Sequence, residues 1–145
     1  TTSPGAATLQ ALAVADNFNW WVGNASGAVY NTDDQGTSAW TQNTAAVPAT
    51  AAAIQDIVLA TDEVLYLAYT TAGPVVKLRA THDGGNRWYE APSGRILAFP
   101  TLDRINRIAV PDVPNPNTAA NNVALGGLAG NGTDGIILIG EAAVL

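Results

Sequence analysis

The chain has 145 residues, a formal net charge of −6, and charged residues at 12% of its length, about half the usual share. That length suits one domain able to bury its own core. The absence of cysteine excludes disulfides, thiolate catalysis and cysteine-based metal sites, and the six cations leave no basic footprint for nucleic acid.

Methionine is absent too, so Thr1 is not a translation start and a processed or partial chain is expected. No apolar run approaches the ~18 residues of a membrane span. The opening TTSPGAATLQ lacks the basic and apolar regions of a signal peptide.

In chain order, LQALAVAD at 9–16 is a strand pattern: an aliphatic residue, a Gln, then alternating apolar positions. NWWVGNA at 19–25 reads as a second strand, Ser26-Gly27 as a turn, AVYNT at 28–32 as a third strand and AWTQN at 39–43 as a short fourth. The series then restarts. IQDIVLAT at 54–61, VLYLAYT at 64–70, VVKLRAT at 75–81 and RWYEA at 87–91 follow the same order, with a turn at Ala72-Gly73-Pro74. Alanines at 50–53 do not make a helix of this stretch, because Ile54, Ile57, Val58 and Leu59 fit the strand register. A third series comprises INRIAVPD at 105–112, NVALGGLA at 122–129 and IILIGE at 136–141; AAVL is either its fourth strand or that strand is missing. VPDVPNPNTAANN at 110–122 is an extended loop suited to contacts.

The starts Leu9, Ile54 and Ile105 are 45 and 51 residues apart, a period typical of propeller blades. The expected fold class is all-β: one repeat domain over 1–145 with about three four-stranded blades, near 8–44, 52–93 and 103–145. Three blades leave sheet edges and apolar faces open. The chain is therefore expected either to belong to a longer propeller or to close a six-bladed ring by oligomerisation. The TTSPGAAT start is a candidate strand for completing a partner's last blade.

The turn THDGGNRW carries Thr81, Asp83, Gly85 and Trp88, and the matching place in the first copy carries Thr32, Asp34, Gly36 and, one residue late, Trp40. This Ser/Thr-x-Asp-x-Gly-x-x-Trp pattern resembles the Asp-box of bacterial neuraminidase repeats. The two aspartates are 49 residues apart and in register with the aligned strands. The physics of the pattern is structural: the carboxylate accepts N–H groups of its own turn, and glycine takes the positive φ. The resemblance implies a propeller with these turns on its outer rim. His82 is expected to face solvent without a role.

Three functions follow from that resemblance. The leading one is a non-catalytic interaction module, similar to photosystem II assembly factor-like propellers and to related repeats in phage structural proteins. It implies a virion or exported location and, as partners, a second copy or other subunits of a large assembly. The second is a glycan-binding propeller, with Trp20, Trp21, Asn19 and Tyr69 as candidate ligand contacts. The third is part of a sialidase-type glycoside hydrolase. The arginine motif that family carries near its start has no counterpart, and Glu63, Glu90 and Glu141 are the only glutamates. No cofactor or metal site is expected: GNGTDG at 130–135 has too few carboxylates for a calcium loop. NAS at 24–26 and NGT at 131–133 match the glycosylation acceptor, as Asn-rich chains often do by chance.

Overall fold

The computed structural model describes residues 4–16, 18–61, 63–72, 76–90, 102–110, 120–129 and 135–143. They form strands and turns with no helix among them. The first sheet is β1 (Leu9–Val14), β2 (Trp20–Asn24), β3 (Val29–Thr32) and β4 (Thr41–Gln42), in that order. The second is β5 (Ala51–Leu59), β6 (Leu65–Thr71), β7 (Val76–Thr81) and β8 (Tyr89–Glu90). The third is β9 (Leu102–Ala109), β10 (Ala120–Ala129) and β11 (Gly135–Ala143). Every pairing is antiparallel between chain neighbours. The first strands of the sheets adjoin one another, β1 against β5 and β5 against β9, as inner strands of propeller blades do.

A fourth strand of the third sheet is missing from the described residues. Ala142 and Ala143 instead lengthen β11, opposite Asn121 and Ala120. Residues 111–119, 130–134 and 144–145 lie outside the described residues, and with them most of the loop expected at 110–122 and the calcium reading of GNGTDG; the end of that expected loop, 120–122, belongs instead to β10.

One irregularity recurs in every inner strand. On β1 the register steps from Leu9↔Asn24 to Ala11↔Gly23, so Gln10 is an extra residue. On β5 it steps from Ile54↔Tyr69 to Asp56↔Ala68 around Gln55, and on β9 from Ile105↔Gly127 to Arg107↔Gly126 around Asn106. A strand alternates faces every residue, so aliphatic residues three apart belong on opposite faces. One extra residue resets that alternation. Ile54 and Ile57 thereby enter one core cluster, and Ile105 and Ile108 enter another.

These two clusters lie between successive sheets. Between the first and second sheets, Ile54, Ile57, Leu65, Leu67 and Tyr69 pack on Ala11, Ala13, Trp21 and Val29. Between the second and third, Ile105 and Ile108 pack on Tyr66, Ala68, Val76, Leu78 and Ala80. Each sheet thus presses aliphatic side chains from its leading face onto the trailing face of the sheet before it. Burying one isoleucine contributes about 1.5–3 kcal/mol, so these pairs dominate the contact between sheets. Gly23 shows how close the sheets come, since a Cβ there would stand 2.2 Å from Cγ2 of Ile54.

The described part of the N-terminal segment is committed to its own chain. Pro4 is buried, Gly5 lies against the Tyr30 ring, and the Thr8 carbonyl accepts the Ala25 N–H. In the second sheet the position equivalent to Tyr30 is Arg79, paired with Leu67 as Tyr30 is with Val22. Arg79 is covered by the linker carbonyls of Ala45 and Ala46. The described residues from Pro4 to Thr8 therefore lie against their own first blade, and Thr1 to Ser3 of the TTSPGAAT start lie outside the described residues.

Gly23→Ala is expected to lower stability by about 1–3 kcal/mol through overpacking, and Ile54→Ala by about 2–5 kcal/mol through cavity formation. Chemical denaturation of the double variant should show a cost below the sum. Strict additivity would mean that the two residues do not touch.

Candidate functional site

The two Thr-x-Asp-x-Gly turns share one hydrogen-bond plan. In the first, Thr32 Oγ1 donates to Asp34 Oδ1 (2.6 Å) and accepts the Gly36 N–H (3.2 Å), while Asp34 accepts N–H groups of Thr37 (3.1 Å) and Ser38 (2.9 Å). In the second, Thr81 Oγ1 donates to Asp83 Oδ1 (2.8 Å) and accepts the Gly85 N–H (3.1 Å), and Asp83 accepts from Arg87 (2.8 Å). Both threonines are buried. Gly36 and Gly85 have φ of +69° and +88°, the region that favours glycine.

The tryptophans differ between the turns. Trp88 is buried; its Nε1 donates to the Gly85 carbonyl (3.0 Å), and its ring meets Trp21 edge-on at 6.2 Å. The Gly85 carbonyl also accepts Asn43 Nδ2 of the first blade (2.9 Å). The second turn is thus clamped into the contact between sheets, on a side chain from each. Trp40, one residue late, is only half-buried and lies over Gly36 of its own turn. His82 is exposed, with its ring edge-on to Tyr89.

The candidate aromatic contacts are divided by strand alternation. Trp21 and Tyr69 are core residues of the first intersheet cluster, so neither offers a ring face to a ligand. Burial and the hydrogen bond to Glu90 push the Tyr69 phenol up to about 12. Trp20 is half-buried on the opposite face, and Nε1 donates to the Asp16 carbonyl (3.2 Å). Asn19 spends its amide on Asp16 Oδ2 (2.7 Å), leaving Phe18 as the exposed ring of this loop. The NAS asparagine, Asn24, is buried and accepts the N–H groups of Ser26 and Ala28, the pattern of a turn-forming residue.

Sequence reasoning passed over three polar residues that hold blades together. Arg79 reaches out of β7 to the carbonyls of Ala45 (2.9 Å), Ala46 (2.7 Å) and Trp88 (2.8 Å). Asn43 joins the two blades as described. Asp56 Oδ2 accepts the buried Ile108 N–H across the second and third sheets (2.7 Å), and Oδ1 stands 3.9 Å from Arg107. Burial pushes the Asp56 carboxyl above its ordinary range, opposed by those two partners. The one available signal was a carboxylate, Asp56, inside a strand that is apolar but for Gln55 beside it.

Asp56 and Arg107 also line a groove of about 450 Å³ across the three inner strands, with Gln10, Leu12, Ile57 and Ile108. It brings together an acceptor, a cation and apolar side chains. Among the described residues no three His, Asp or Glu side chains converge as metal ligands, and no helix is long and apolar enough to cross a membrane.

Solved structures with this fold are β-propellers. YCF48 bound to D1 peptide superposes with a TM-score of 0.58 at 16% identity, covering 92% of this chain and 41% of that one. YCF48 from Cyanidioschyzon merolae gives 0.59 at 15% identity, covering 97% and 39%. The GH74 xyloglucanase from Xanthomonas campestris gives 0.63 at 13% identity, covering 86% and 21%. The chain therefore spans less than half the length of each. No protein-family model and no curated protein matches the sequence.

Hydrogen bonds hold both turn carboxylates below their ordinary range, chiefly those from Ser38 and Thr32 to Asp34 and from the Arg87 N–H to Asp83. A depressed folded-state value means stability that is full above the unfolded value and lost as pH falls through the folded one. The pH dependence of the urea midpoint below about pH 4 should become shallower in Asp34→Ala and Asp83→Ala. An unchanged acid limb would show that neither carboxylate is bound as described.

Proposed function

We propose that this chain is a non-catalytic β-propeller interaction module and that its two Thr-x-Asp-x-Gly turns are Asp-boxes. Its role is structural: binding other protein subunits within a virion or another large extracellular assembly. The observation that carries the reading is how the polar side chains are used. Asp34 and Asp83 are consumed by their own turns, while Asn43, Arg79 and Asp56 tie one blade to the next. The inner-strand groove beside Asp56 and Arg107 is open to a ligand and suits a peptide. YCF48, with the same fold, has been solved with a D1 peptide bound, which supports a protein partner.

A second reading, glycan binding, keeps support from one place only: half-buried Trp20 beside exposed Phe18. Aromatic faces of this kind stack on sugar rings, and a glycan array with Trp20→Ala as control separates it from the first.

Density-gradient sedimentation of the native protein tests the leading reading. It predicts recovery in a particle far larger than the 14.9 kDa chain, released without loss of fold, and no turnover of aryl glycosides. Hydrolysis of any such glycoside, abolished by substitution of a single carboxylate, would overturn it.

A further inference from the structure

Two loops in equivalent places are built alike and differ in what they display. In the loop from β1 to β2, the Ala15 N–H bonds the Asn19 carbonyl (2.9 Å), and Asp16 Oδ1 accepts the N–H groups of Phe18 (2.5 Å) and Asn19 (2.8 Å). In the loop from β5 to β6, the Ala60 N–H bonds the Val64 carbonyl (2.8 Å), and Thr61 Oγ1 accepts the N–H groups of Glu63 (3.3 Å) and Val64 (3.0 Å). Each loop then anchors the Thr-x-Asp-x-Gly turn of its own sheet. The Phe18 carbonyl accepts the Gln35 N–H (3.2 Å), and the Glu63 carbonyl accepts the Gly84 N–H (3.0 Å). Phe18 and Glu63 therefore hold the same position.

That position faces solvent in both sheets. Phe18 is 57% exposed, and Glu63 is exposed too, although the second sheet has the first packed ahead of it. The exposure of Phe18 is thus a property of the loop and owes nothing to what lies ahead of the first sheet. Nor does the loop need a ring there, because Phe18 bonds through its backbone and a carboxylate side chain serves in the second sheet.

The charge around the ring is one-sided. Residues 1–76 hold six Asp or Glu and no Lys, Arg or His, while residues 77–145 hold six carboxylates against six Lys or Arg. The whole net charge of −6 therefore belongs to the first part. Of its carboxylates, Asp16, Asp33 and Asp34 lie on the loop of Phe18 and on the turn which that loop anchors. Asp16 and Asp34 accept N–H groups of their own loop and turn, which hold both carboxyls below their ordinary range. Asp33 is exposed, and no other described residue bonds its carboxylate. An aromatic face and a free carboxylate together suit a guanidinium, which stacks on the one and bonds the other through its planar fork.

We propose that Phe18 and Asp33 form a docking site for an arginine-bearing segment of a partner protein, with the guanidinium on the Phe18 ring and paired with the Asp33 carboxylate. The site shares no residue with the inner-strand groove. The inference rests on the reading of the chain as an interaction module and names the chemistry of one partner.

Fluorescence anisotropy of the 145-residue chain with dye-labelled hexaarginine and hexaglutamate tests it, with circular dichroism as the check on fold. The wild type should bind hexaarginine and leave hexaglutamate free. Phe18→Ala keeps the backbone bonds of the loop, so it should stay folded and bind about two- to fivefold more weakly, the range of an exposed cation–π contact. Phe18→Leu, apolar but without a ring, should lose as much. Asp33→Asn should weaken binding by about twofold. Leu12→Ala, which trims the groove, should leave the affinity unchanged. Undiminished binding by folded Phe18→Ala, no preference for hexaarginine over hexaglutamate, or a loss confined to Leu12→Ala overturns the docking site. Each of those results leaves the module reading standing, since only glycoside turnover removes that.

Discussion

The bulge on each inner strand is the constraint on which this structure depends. Gln10, Gln55 and Asn106 are inserted at the same register position, and each insertion turns two aliphatic side chains three residues apart onto one face. Without it, alternation would send one member of each pair to the opposite face. The seating of one sheet on the next, the clamp on the second Thr-x-Asp-x-Gly turn and the shape of the inner-strand groove all follow from that reset.

Polar groups then fix what the apolar pairs bring together. Asn43 and Arg79 tie the first blade to the second, and Asp56 ties the second to the third. Each acts on a backbone group, where an unsatisfied partner in a buried setting costs about 1–3 kcal/mol. Asp34, Asp56 and Asp83 are occupied in holding turns and sheets, and this use of the carboxylates is what supports the proposal of a binding role.

Much of the fold was legible in the sequence because its repeat is long and strongly patterned. The aliphatic-Gln/Asn-x-aliphatic start of each copy located all three inner strands, and glycine-bearing turns separated the rest. The bulge was not recognised, although its signal was present: Leu9 and Leu12, Ile54 and Ile57, and Ile105 and Ile108 are spaced by three, which a regular strand cannot bury on one side. Among the candidate ligand contacts, Trp21 and Tyr69 belong to the core, because only a strand's register decides which of two adjacent aromatics faces the next sheet. Asn43, Arg79 and Asp56 were illegible as latches, since their partners lie 33 to 52 residues away along the chain and are backbone groups that leave no trace in composition.

Methyl-labelled nuclear Overhauser spectroscopy tests the central claim most directly. If the inserted residue turns both aliphatic side chains toward the neighbouring blade, the methyl groups of Ile54 and Ile57 will both show cross-peaks to the first sheet, with Ile54 close to the α protons of Gly23. A spectrum in which one of the two isoleucines sees only solvent or the third sheet would contradict it.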